Sequence, residues 1–109
     1  MQIIFTTKKM QKACSSEREM LRIYGDSCSK KLKQRLAELE AAENMGMIPP
    51  FARCHPLTGK LNGKYAVDLA HPYRLIFEPD CEELPLKADG GLDLNKVTSI
   101  IIKDITDYH

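Results

Sequence analysis

Hydrophobic positions along the chain follow two rhythms, and they divide it into a helical first half and an alternating second half. Ile3, Ile4 and Phe5 form a short β-branched and aromatic run that predicts a strand over residues 2–5. Thr6 or Thr7 is then placed to cap a helix, because a hydroxyl can accept from the unpaired N–H groups of a first turn. Met10, Ala13, Cys14, Met20, Leu21 and Tyr24 recur at helical spacing, so one helix is expected from there to about Ile23, stopped by Gly25. Asp26 or Ser27 can cap a second helix reaching about Asn44, with Cys28, Leu32, Leu36, Leu39 and Ala42 as its apolar stripe. Gly46 and the pair Pro49-Pro50 make residues 45–51 a linker that cannot be helical throughout.

Beyond the linker the period changes to two. Tyr65, Val67 and Leu69 alternate with Ala66, Asp68 and Ala70, and Tyr73, Leu75 and Phe77 alternate with Arg74, Ile76 and Glu78. With the tight connection at His71-Pro72 between them, these runs predict a β-hairpin. Residues 79–94 are acidic and carry Pro79, Pro85, Gly90 and Gly91, the composition of a mobile insertion. Residues 97–107 read as the last strand, apolar enough at 99–102 to be central in a sheet. Strand, two helices and three strands imply an α+β fold, with both helices packed on a small twisted antiparallel sheet. At 109 residues, one domain over 1–109 is expected, with the stretch at about 79–94 inserted in it.

Composition narrows the class. A hydrophobic fraction of 43% with 28% charged residues is ordinary for a water-soluble globular chain, and the apolar runs are too short to span a bilayer. The segment Met1-Gln-Ile-Ile-Phe lacks the basic and long apolar regions of a signal peptide, which predicts a cytoplasmic protein with no membrane partner. Cys14, Cys28, Cys54 and Cys81 form no CxxC pair and have no zinc-ligand rhythm, so free thiols and no metal or other cofactor are expected. Net charge is +1, yet residues 1–64 hold 12 Lys/Arg against 6 Asp/Glu and residues 65–109 hold 4 against 9. A basic half suits an anionic partner, and equally suits two halves that neutralise each other on folding. Lys30, Lys31, Lys33 and Arg35 oppose the dipole of the second helix, either as a solvated face or as a basic rim for RNA or an acidic protein.

Cys54-His55-Pro56-Leu57, Gly63-Lys64-Tyr65, Arg74-Leu75-Ile76-Phe77 and the closing Asp107-Tyr108-His109 stand in an order and spacing that resemble the RelE/ParE toxin superfamily, and most closely its HigB branch. That branch reads H-x-L-K-G, a short basic run, G-x-[WY], a W-R-[IL]-x-F strand and D-Y-H. Thr58 departs from it where Lys is usual, with Lys60 two residues on, and the insertion lengthens a connection that is usually short. The resemblance implies the toxin of a type II toxin–antitoxin system, an endoribonuclease that cuts mRNA in the ribosomal A site. It also implies a HigA-like, helix-turn-helix antitoxin as partner. A ParE-like or degenerate toxin that binds a protein target or its antitoxin without cutting RNA is the alternative.

Cutting RNA without a metal requires a base for the 2′-OH, stabilisation of the phosphorane charge, and an acid for the leaving 5′-oxygen. Imidazole titrates near neutrality and serves either proton transfer, each worth about 10²–10⁴-fold. His55 and His109 are the acid/base candidates, in an order the sequence leaves open. Asp107 is a candidate to orient a histidine or favour its protonated form, and Tyr108 to stack on a base or bond the phosphate. Arg74, Lys60 and Lys64 are the candidate phosphate-binding cations. Without the resemblance, His55 before Pro56 reads as a loop residue, and Arg74 as a surface residue in a cross-strand ion pair.

Overall fold

In the computed structural model, which describes residues 1–107, five strands make one sheet in the order β1-β5-β4-β3-β2. They are β1 Gln2–Phe5, β2 His55–Pro56, β3 Tyr65–Asp68, β4 Tyr73–Pro79 and β5 Ser99–Asp107, with α1 Lys8–Ser15 and α2 Glu17–Ala41 between the first two. The sheet is mixed rather than purely antiparallel. β1 lies parallel to β5 with Ile3 opposite Ile100, while β5, β4, β3 and β2 pair antiparallel. A parallel pairing is open to β1 because both helices intervene before the sheet is rejoined, so β1 is not bound to a hairpin partner. Residues 1–107 thus form the expected α+β layers, and among them no helix is long and apolar enough to cross a membrane.

The core lies between the helices and one sheet face. Cys14, Met20, Cys28, Leu32 and Leu39 from the helices meet Val67, Leu75, Phe77, Ile100, Ile102 and Ile105 from the sheet. The opposite face carries a small second cluster, where Leu57 packs on Ala66 and Ile76 with Leu61 at its edge. The segment after β2 therefore folds over the back of β3 and β4, which explains why both parities of the hairpin hold buried residues.

The helical half departs from the periodic reading at Ser16 and again at its end. Thr7 caps α1 by accepting from the Met10 N–H at 3.1 Å, while Thr6 Oγ1 donates to the Ile102 carbonyl at 2.7 Å. The expected single helix to Ile23 is broken at Ser16, which has extended φ/ψ (−123°, 119°) and accepts from the Glu19 N–H at 3.3 Å. Ser16-Glu17-Arg18-Glu19 has the spacing of a capping box, a start signal inside what the apolar spacing treats as continuous. The break resets the helical phase, so Leu21, expected on the buried face, is 52% exposed, while Met20 is 4% exposed. Gly25 interrupts α2 with φ 79° and ψ 175°, a backbone region that side chains essentially exclude. Of the expected stripe, Cys28, Leu32, Leu39 and Ala42 are buried and Leu36 is half-buried, and the helix ends at Ala41 rather than near Asn44.

Arg35 also departs from its sequence reading. It does not belong to a solvated basic rim: it is 5% exposed, and its Nε donates to the Asp68 carbonyl at 2.7 Å. Its Nη1 pairs with Glu38 Oε1 at 2.9 Å and the guanidinium stands 5.7 Å from the Phe51 ring centre. Arg35 is three residues from Leu32 and four from Leu39, on the flank of the stripe, and it ties α2 to the end of β3.

The 79–94 stretch carries more structure than its composition suggests. Leu86 bridges Leu92, the Lys87 N–H donates to the Gly91 carbonyl at 2.7 Å, and the Asp93 N–H to the Pro85 carbonyl at 2.7 Å. Its base is held where the Asp80 N–H meets the Ser99 carbonyl at 2.8 Å and Ser99 Oγ donates to Asp80 Oδ2 at 3.0 Å.

Candidate functional site

The path into β2 positions His55. Pro49 leads into a 3₁₀ turn over Pro50–Ala52, and buried Ala52 anchors it. Arg53 then takes the left-handed conformation (φ 57°, ψ 46°), a cost of about 1–2 kcal/mol for a side-chain-bearing residue. This turns the chain so that His55, expected in a loop, pairs with Ala66 as a sheet-edge residue. The turn also brings the Arg53 carbonyl to 2.7 Å from His55 Nδ1. A carbonyl only accepts, so Nδ1 carries the proton. The neutral ring consequently keeps its lone pair at Nε2, and the protonated ring has an N–H there to donate. That is the arrangement an acid/base histidine requires.

Beside it lies a charged bridge. Asp68 ends β3 directly opposite Arg74 near the start of β4. Its carboxylate lies 3.4 Å from Arg74 Nε through Oδ1 and 3.3 Å from Arg53 Nε through Oδ2. One carboxylate between two guanidiniums leaves a net positive site, and Arg53 has a 78% exposed side chain that can meet an anion. Arg35 holds the Asp68 carbonyl from the helix side, so the carboxylate is fixed through its own backbone. Arg53, Cys54, His55, Asp68 and Arg74 line an open depression of about 400 Å³. Burial pushes the Cys54 thiol up to about 11, so it stays protonated and is no nucleophile at neutral pH.

β5 brings the C-terminal residues towards this end of the sheet. Thr106 stands opposite Arg74 and Asp107 opposite Tyr73. A register shift makes this possible: Phe77 faces Ile102 but Ile76 faces Asp104, so Lys103 is the extra residue of a bulge. Without it, Asp104 would oppose buried Leu75, and Ile105 would oppose Arg74. Tyr108 and His109 lie outside the described residues.

The two candidate lysines are not part of this cluster. Lys64 Nζ lies 4.0 Å from Glu78 Oε2, and Lys103 Nζ lies 3.4 Å from Glu78 Oε1. Lys64 stands four residues before Asp68, roughly 13 Å at strand spacing, and its ammonium faces Glu78 rather than the carboxylate between the arginines. Lys60 is exposed on the 3₁₀ turn Gly59–Leu61. Arg53 and Asp68 were missed as site residues by sequence reasoning. For Arg53 a signal was available, since it stands two residues before His55; Asp68 comes opposite Arg74 only through the four-residue turn between β3 and β4, which an alternation running on to Ala70 does not show. Among the described residues, no three His, Cys, Asp or Glu side chains gather where they could share a metal ion.

The architecture is that of a known group of small toxins. Searches of protein-family models and of curated proteins find no match to this chain. Among solved structures, a chain of the YoeB–YefM complex from Staphylococcus aureus aligns with a TM-score of 0.56 at 17% identity, covering 100% of this chain and 97% of that one. The YoeB/ParE toxin from Agrobacterium tumefaciens aligns with a TM-score of 0.58 at 10% identity, covering 100% of both chains. This protein therefore has the fold of YoeB/ParE-type toxins.

Proposed function

We propose that this protein is the toxin of a type II toxin–antitoxin pair, of the HigB-like kind, and that it cuts translated mRNA on the ribosome. The observation that supports this reading best is His55, its Nδ1–H on the Arg53 carbonyl, beside the Arg53–Asp68–Arg74 bridge on a toxin fold. In the reaction, a base takes the proton of the 2′-OH and the oxygen attacks the adjacent phosphorus. The bond to the 5′-oxygen breaks, and that oxygen takes a proton. The products are a 2′,3′-cyclic phosphate and a 5′-hydroxyl, with no external oxidant or metal consumed.

In this assignment His109 is the base and protonated His55 the acid, delivering its Nε2 proton to the leaving oxygen. Arg53 and Arg74 meet the charge that grows on the phosphorane, the electrostatic contribution that is usually largest. Asp107 and Tyr108 support His109 and the substrate. Lys60 and Lys64 contact RNA phosphates away from the cut. The partners are ribosome-bound mRNA in a cytoplasmic setting and an antitoxin of the HigA type that contacts the outer charged faces of the helices. A binding-only toxin has one observation in its favour: Asp68 already engages both arginines, so an anion must compete for them.

The test is primer extension on mRNA incubated with purified protein, with and without programmed ribosomes. The proposal expects cuts only with ribosomes, ending in 5′-hydroxyls, and about 10²–10⁴-fold slower in His55→Ala. Intact mRNA in both samples, with the fold retained, contradicts it and favours the binding-only toxin.

A further inference from the structure

β2 separates two depressions, and His55 borders both. On one side lies the charged depression with Asp68 and Arg74. The other is an apolar pocket of about 240 Å³ between Ile48, Pro49, Pro50, Tyr65 and Leu94, with Arg53 and His55 also in its wall. That volume lies below the roughly 300–1,000 Å³ of sites for whole drug-sized ligands, so it suits one flat ring system rather than a complete nucleotide. The Tyr65 ring is itself held, stacked on Phe77 at 6.2 Å and 25°, which makes a fixed apolar wall.

Leu94 reaches this pocket from the far side of the inserted stretch. It opens a 3₁₀ turn, Leu94–Lys96, that packs against the turn Met45–Met47. The Met45 N–H donates to the Val97 carbonyl at 3.0 Å, and a Cβ placed on Gly46 would collide with Asn95 Oδ1. The insertion is thus fastened to the 45–47 segment next to the pocket, and Leu94, 38% exposed, is the wall residue it supplies.

We infer that the apolar pocket beside His55 seats the nucleobase flanking the scissile phosphate, and that Leu94 limits which bases enter. This rests on the nuclease reading above. A base in the pocket and its phosphate at Arg53 and Arg74 place the phosphodiester alongside His55. Base–aromatic and apolar stacking tolerates any base, whereas the size of the pocket discriminates between one ring and two.

The experiment uses short RNAs with a 2′-O-methyl group at the cut position, which removes the nucleophile, each made with and without the base on either side of it. Binding is followed by NMR of the Tyr65 ring in wild type, Leu94→Ala and Leu94→Trp, and of the Leu94 methyls in wild type, alongside cut-site sequencing in translating cells. The expected result is that removing one particular base weakens wild-type binding on the order of ten- to a hundred-fold and abolishes the Leu94 and Tyr65 shifts. Leu94→Trp loses that base effect, and the cuts made by Leu94→Ala show a broadened preference at one position. A wild type that cuts in cells while its Leu94 and Tyr65 signals ignore the base overturns the pocket and leaves the nuclease. Signals moved by antitoxin but not by RNA overturn it in favour of protein docking. A wild type that neither cuts nor binds RNA overturns the nuclease reading, and the pocket assignment with it.

Discussion

Replacing Arg35 by Met removes the guanidinium but keeps most of the apolar stem. Three interactions are lost: the charged donor to the Asp68 carbonyl at 2.7 Å, the Glu38 pair at 2.9 Å and the contact with Phe51 at 5.7 Å. A hydrogen bond from a charged group contributes about 1.5–3 kcal/mol, and an exposed cation–π contact about 0.5–1 kcal/mol. Phe51 is 61% exposed, so the lower figure applies to that contact. The Glu38 side chain, 15% exposed, is left with Gln34 Nε2 at 3.0 Å but no cation. Together these give a loss of about 3–5 kcal/mol, the size expected when one member of a buried pair is deleted. Urea denaturation measures it as a lower midpoint with an unchanged slope. Adding Glu38→Gln to Arg35→Met returns about 1 kcal/mol or more, because the stranded charge is gone. A loss below about 1 kcal/mol at constant slope refutes the claim that Arg35 pins β3 to α2.

Other substitutions probe the backbone and the thiols. Gly25→Ala meets no atom within 4 Å, yet it forces a side chain into φ 79°, ψ 175°, and is expected to cost about 1–3 kcal/mol in the same denaturation assay. Arg53→Gly is expected to be more stable than Arg53→Ala by about 1 kcal/mol, since only glycine is unstrained at φ 57°, while both lose RNA cleavage. Burial pushes the Cys14 and Cys54 thiols up to about 11 from an ordinary value near 9.0. The unfolded chain therefore releases these protons first, so the contribution is whole below pH 9 and declines as pH rises from about 9 towards 11. Denaturation at pH 7.5, 9 and 10 checks the sign, and Cys54→Ala makes the decline shallower.

The sequence was most legible where a repeating pattern is enforced by burial. The steps from Cys28 to Ala42 show which face of α2 is apolar, and the alternation around Tyr65 and Tyr73 shows the hairpin. It was least legible where one residue breaks the repeat. Ser16 looks like any polar position until its spacing to Glu19 is noticed, and missing it puts Leu21 on the wrong face. Arg35 is charged, so it reads as surface, although a long apolar stem lets a guanidinium cross the edge of a core to reach a carbonyl. His55 and Arg74 were singled out through motif order. Arg53 and Asp68 emerge only from hairpin register and a left-handed turn, neither of which periodicity encodes. The side of the sheet on which β1 joins, and its parallel sense, depend on the packing of the whole chain.

The central claim is that His55 takes part in cutting translated mRNA. Mapping mRNA 5′ ends after brief induction of wild type, His55→Ala and His109→Ala in translating cells tests it most directly. The account predicts new 5′ ends inside translated frames for wild type, and their loss in both variants at equal protein level. Arrested growth with mRNA intact, or cuts that persist in His55→Ala, contradicts it.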